Sequence, residues 1–116
     1  MATLQIAERR VGDVTVLDLW GQITLGDSSE TLRATIKHLV ETGRTRVLLH
    51  LGGVHQVDSS GLGSLVAMYT GVQKSGGDLK LVQLSKRLED LMVMTKLLTV
   101  FDTYNDEAVA LESFRR

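Results

Sequence analysis

The run Val47-Leu48-Leu49-His50-Leu51, closed by Gly52-Gly53, constrains this chain more than any other segment. It is short, nearly continuous in apolar residues and rich in strand formers. Such a run reads as a strand covered on both faces, the pattern of an interior parallel strand. Parallel neighbours need crossover connections, so helices are expected on either side of it in the chain.

The flanking sequence supplies them. Leu4 and Ile6 alternate with polar residues, Arg10-Val11-Gly12-Asp13 forms a turn, and Val14 to Trp20 follows as a second run of strand formers. This predicts an antiparallel hairpin at the start. Gly21 and Gly26 bracket a short connection containing Ile23 and Leu25. Asp27-Ser28-Ser29-Glu30 reads as a variant capping box with Asp27 at the cap. Leu32, Ile36, Leu39 and Val40 then mark one apolar helix face, and Gly43 ends the helix.

After Gly52-Gly53, Val54 to Val57 bridges to a second helix opening at Asp58-Ser59-Ser60-Gly61 and ending at Gly76-Gly77. Leu79 to Leu84 is a further strand. Ser85 caps a third helix, Val100 and Phe101 suggest a last short strand, and Asn105 or Asp106 caps a final helix through Phe114. The expected class is α/β: one domain over residues 1–116, with a mixed central sheet flanked by about four helices. The sheet opens with the antiparallel hairpin and continues with parallel strands.

Composition excludes several functions. The chain has no cysteine, hence no disulfide, thiolate nucleophile or Cys-based zinc site. Thirteen basic and fourteen acidic residues give a net charge of -1, a poor basis for nucleic-acid binding. No apolar run approaches the ~18 residues that cross a bilayer. Met1 to Arg10 lacks the apolar core of a signal peptide, and a cytoplasmic location is expected.

Chemistry points to Val57-Asp58-Ser59-Ser60-Gly61-Leu62-Gly63. Ligands of open α/β sheets gather at strand-to-helix turns. The first N–H groups of a helix lack internal partners and favour an anion, bound or covalently attached. Gly61 and Gly63 are expected to let another molecule approach. Ordinary capping explains many such sequences equally well. Catalytic motifs are missing: there is no Gly-x-Ser-x-Gly elbow, dinucleotide fingerprint or Walker-type lysine, so no cofactor is expected. His50, His55 and Asp58 lack a recognised metal-ligand spacing, and His38 reads as helix surface. The apolar arc of Met92, Met94, Leu97 and Leu98 is expected to be mostly core, with room for a partner patch. Lys74, Lys80, Lys86 and Arg87 read as a solvated surface.

The 57–63 segment closely resembles the signature of bacterial anti-sigma-factor antagonists, the STAS-domain family. The resemblance extends to Val14 to Leu19 with Gly21, Val47 to Gly53, Gly76 to Val82, and Thr99 to Asp102 with Asp106 to Ala108. It implies a non-enzymatic switch. The unmodified protein would sequester an anti-sigma factor that is also a serine kinase, freeing a sigma factor. The kinase would phosphorylate Ser59 and dissociate the complex, and a serine phosphatase would reset it. Asp58, Ser60, Gly61, Leu62 and Gly63 would form the partner-binding switch loop around Ser59, and the loop Gln22 to Ser29 would help shape the partner surface. The free protein is expected to be a monomer. A STAS scaffold, or a nucleotide-sensing module in a larger signalling complex, is the alternative.

Overall fold

The computed structural model describes residues 4–115. Strands β1 (Leu4–Val11) and β2 (Val14–Ile23) pair antiparallel, with Val11 opposite Val14. The tip between them is Gly12-Asp13, and Gly12 adopts φ 58°, which a residue without Cβ reaches at little cost. Helix α1 (Asp27–Glu41), β3 (Arg46–Val57), α2 (Ser59–Lys74), β4 (Asp78–Val82), α3 (Lys86–Met94), β5 (Thr103–Tyr104) and α4 (Glu107–Ser113) follow. The five strands lie in the order β1-β2-β3-β4-β5, and every pair after the first is parallel. This is the mixed sheet with four helices that the sequence predicts.

Strand alternation divides the core between the two faces. Leu17, Leu19, Leu49, Leu51 and Leu81 point to one face, where α1, α2 and α3 supply Leu32, Ile36, Leu39, Leu65, Met68, Leu88 and Met92. Val14, Val16, Leu48 and Val82 point to the other, where α4 supplies Ala110 and Phe114. The run Val47–Leu51 is therefore apolar on both sides because both sides are roofed.

Four local expectations are corrected. Gly52-Gly53 does not close β3, which continues to Val57. The pairing with β2 shifts register between Asp18 and Trp20, and Gly53 faces Trp20. A Cβ on Gly53 would stand 2.4 Å from the Trp20 ring, so the glycine makes room within a continuing strand. Helix α1 is capped by Gly26, without a side-chain cap, and Asp27 is already helical. The last strand is Thr103–Tyr104 rather than Val100-Phe101. Phe101 is drawn into the core instead, edge-on to Tyr69 at 5.1 Å between ring centroids.

The fourth correction is Lys80, which is only 6% exposed. Its Nζ donates to Ser113 Oγ at 2.9 Å and to the Ser113 carbonyl at 3.2 Å, and sits 4.7 Å from the centre of the Phe114 ring. It closes the carboxyl end of α4, where a cation is favoured. Asp106 caps the other end, accepting from Ala108 N at 2.8 Å.

Candidate functional site

Helix α2 starts where β3 leaves the sheet, beside the end of β2. Asp58 has extended backbone geometry and is its cap. Oδ1 of Asp58 accepts from Gly61 N at 2.7 Å, satisfying one of the orphan donors of the first turn. Oδ2 accepts from Leu25 N at 3.2 Å, across thirty-three positions of sequence. One carboxylate thus fixes both the helix start and the β2–α1 loop.

The loop is stapled from its other side as well. Thr24 N donates to Ser28 Oγ at 3.0 Å, and the Ser28 and Ser29 hydroxyls both donate to the Thr24 carbonyl. Thr24, Ser28 and Ser29 are buried, whereas Leu25 is 77% exposed. These residues stand outside the 57–63 signature, in the loop expected to help shape the partner surface. The available signal was a lone leucine inside the polar turn Thr24 to Ser29.

The signature residues separate into two groups. Ser59, Ser60 and Gly63 are exposed and Asp58 is partly buried. Gly61 and Leu62 are buried; Leu62 is 2% exposed and belongs to the main core. A Cβ on Gly61 would lie 1.9 Å from the Ile23 carbonyl oxygen, whereas one on Gly63 would meet nothing within 4 Å. The close approach at Gly61 is to the chain's own β2, and only Gly63 leaves its space to solvent. By helix geometry, the N–H groups of Ser59 and Ser60 lack intrahelical acceptors and carry the positive end of the helix dipole.

Other side chains form a separate polar cluster on the α4 face. Arg9 binds Asp18 at 2.6 and 3.0 Å and Glu107 at 2.7 and 3.2 Å. His50 joins them, with a ring nitrogen of His50 and a carboxylate oxygen each of Asp18 and Glu107 within 4.8 Å of one another. His55 and Asp58 take no part. Arg9 already satisfies both carboxylates, and its hydrogen bonds hold the Asp18 carboxyl below the usual carboxylate range. In the apolar arc, Met92 is in the core and Leu97 and Leu98 pack against it, while Met94 is 79% exposed. A groove of about 510 Å³ between α1 and α2 is lined by Ala34, Val40, Met68 and Val72, among others, and by no signature residue.

Fold and site together define a small α/β module that offers a capped helix start with two exposed serines. A family model described as STAS domain matches residues 5–110. The anti-sigma-B factor antagonist of Bacillus subtilis is 39% identical over 75 residues, which is 65% of this chain and 68% of that one. The crystal structure of an anti-sigma factor antagonist from Mycobacterium paratuberculosis superposes with TM-score 0.83 at 21% identity, covering 98% of this chain and 96% of that one. The Bacillus protein SpoIIAA gives TM-score 0.71 in its unphosphorylated form (21% identity, 96% of this chain and 98% of that one). Its phosphorylated form gives 0.73 (19% identity, 94% and 98%). The chain belongs to the STAS-domain family of anti-sigma-factor antagonists. Among the described residues, no helix is long and apolar enough to cross a membrane.

Proposed function

We propose that this chain is a phosphorylation-controlled antagonist of an anti-sigma factor. Unmodified, it holds an anti-sigma factor that is also a serine kinase and so releases a sigma factor in the cytoplasm. The kinase then transfers a phosphoryl group from a nucleoside triphosphate to Ser59. The bond from Ser59 Oγ to the γ-phosphorus forms as the bond from that phosphorus to the nucleoside diphosphate breaks, and the hydroxyl proton leaves to a base. The chain is the substrate of this step and performs no catalysis itself. The modified protein lets go, and a serine phosphatase restores it.

The observation that carries this reading is that Ser59 is exposed in the first turn of α2, directly after the Asp58 cap. Phosphorylation adds about -1.5 to -2 units of charge. The unpaired amides of the helix start favour that charge, so α2 survives. A partner packed over Ser59 meets it beside the Asp58 carboxylate. A loss of ~2.8 kcal/mol there is a hundredfold in affinity. SpoIIAA, which has been solved in both forms, supports a fold that persists through such a modification.

The test uses the Ser59→Ala protein as bait to recover the partner. The purified partner and ATP should add one phosphate to the parent protein by intact mass, and none to Ser59→Ala. Equal labelling of both proteins overturns the assignment.

A further inference from the structure

We propose that Leu25 is the hydrophobic anchor by which this chain grips the anti-sigma factor, and that Asp58 is the positioning residue that aims it. This rests on the function proposed above and names the contact that gives it affinity.

Three observations carry the inference. Leu25 is 77% exposed, so most of the stabilisation available from burying a leucine is still to be gained in the free protein. Its loop is nonetheless rigidly built. Thr24 is tied to Ser28 and Ser29 on one side, and Leu25 N is tied to Asp58 Oδ2 on the other. An aliphatic side chain held out by a loop already ordered binds without the entropy cost of ordering it, so more of its burial shows as affinity. Third, the carboxylate that holds Leu25 also caps the helix carrying Ser59. Anchor and phosphoacceptor share one frame. A partner that takes Leu25 into an apolar pocket finds the Ser59 hydroxyl at a fixed place beside that pocket.

The same frame explains why one modification releases the partner. The phosphate enters where the docked surface is held closest, and the anchor cannot move aside to accommodate it. The partner this fits is a protein with an apolar pocket beside a nucleotide site, open to an uncharged serine.

The test uses the anti-sigma factor recovered with the Ser59→Ala bait, purified and titrated against Leu25→Ala, Leu25→Met and parent protein. Leu25→Ala should weaken binding by ~30-fold, the loss expected on removing a leucine side chain buried by the partner. It should raise KM for phosphorylation of Ser59 and leave kcat unchanged, because an anchor binds ground and transition states alike. Leu25→Met should stay close to parent, and thermal midpoints should not differ, since the residue is exposed. Affinity of Leu25→Ala within about threefold of parent overturns the anchor. So does a parent dimer that Leu25→Ala abolishes while partner binding is unchanged, which would assign the leucine to self-association. If the parent is phosphorylated at Ser59 with the same KM as Leu25→Ala, the anchor alone fails. If the parent neither binds an anti-sigma factor nor is phosphorylated, the function and the anchor fail together.

Discussion

Gly61 sits against the backbone of Ile23 so closely that a Cβ would lie 1.9 Å from the Ile23 carbonyl oxygen. Two positions on, Gly63 faces open space in the same helix. The two glycines should therefore respond oppositely to alanine. Gly61→Ala must push α2 from the end of β2 and should cost ~3 kcal/mol or more, at the upper end of overpacking effects. Gly63→Ala gains helix propensity and should stabilise by ~0.5–1 kcal/mol. Urea unfolding of both variants measures the difference. If Gly63 lies under the partner, its alanine variant should bind more weakly while being more stable.

Local pattern was enough for most elements and failed where tertiary contacts decide. The periodicity of Leu32, Ile36 and Leu39 sufficed for α1, and Asp58 and Ser85 are recognisable as caps because capping is local chemistry, whereas the α4 cap stays open between Asn105 and Asp106 and the α1 cap falls on Gly26 rather than Asp27. Gly52-Gly53 misled because the space they make is for Trp20 on another strand. Lys80 reads as surface on its own, and only the carbonyl end of α4 and Phe114 give it a buried partner. Within the signature, the sequence places six candidate residues together, but which of them reach solvent depends on the contact of α2 with β2. Leu25 is legible in the sequence only as one residue of a loop that shapes the partner surface, because its link to Asp58 spans the β2–β3 crossover.

Arg9 joins β2 to α4 by holding Asp18 and Glu107 together. Its hydrogen bonds lower the Asp18 pKa in the folded protein, with the Arg9 and His50 charges adding to the effect against desolvation. The unfolded carboxyl therefore binds its proton more tightly than the folded one. The stabilisation is fully present above the unfolded value of about 4 and is lost as pH falls through the lower folded value. Arg9→Gln should lower stability at neutral pH by ~1 kcal/mol, at the upper end for a partly exposed pair. Its stability should also fall less steeply than the parent's as pH drops below about 4. Thermal unfolding across that range gives the comparison, and parallel acid limbs would remove Asp18 as the titrating group.

Thr15 lies in β2 at 1% exposure, opposite Val47, and its Oγ1 is the buried side-chain polar atom without a hydrogen-bond partner among the described residues. A buried hydroxyl without a partner costs about 1–3 kcal/mol of desolvation. Thr15→Val keeps the shape and removes the hydroxyl. It should raise stability by ~1 kcal/mol, read as a higher urea midpoint with an unchanged slope. A lower midpoint would mean that Oγ1 has a partner in solution.

Ser59→Asp separates the stability of the fold from the stability of the complex. Ser59 is the first residue of α2, where a carboxylate interacts favourably with the helix dipole by ~0.3–1 kcal/mol. The neighbouring Asp58 carboxylate, already bonded to Gly61 N and Leu25 N, opposes that gain. The two effects are of similar size, so the thermal midpoint should move by less than about 3 °C, within what a few tenths of a kcal/mol produce in a domain of this size. The docked partner has no such compensation, because it must cover two adjacent carboxylates and strip water from them. Affinity for the anti-sigma factor should fall by at least ~10-fold, and part of the loss should return at high salt as like-charge repulsion is screened. Calorimetric titration at two ionic strengths beside a thermal melt measures both quantities on one preparation. A large drop in midpoint with unchanged affinity would place the cost in the fold and leave the partner indifferent to charge at Ser59.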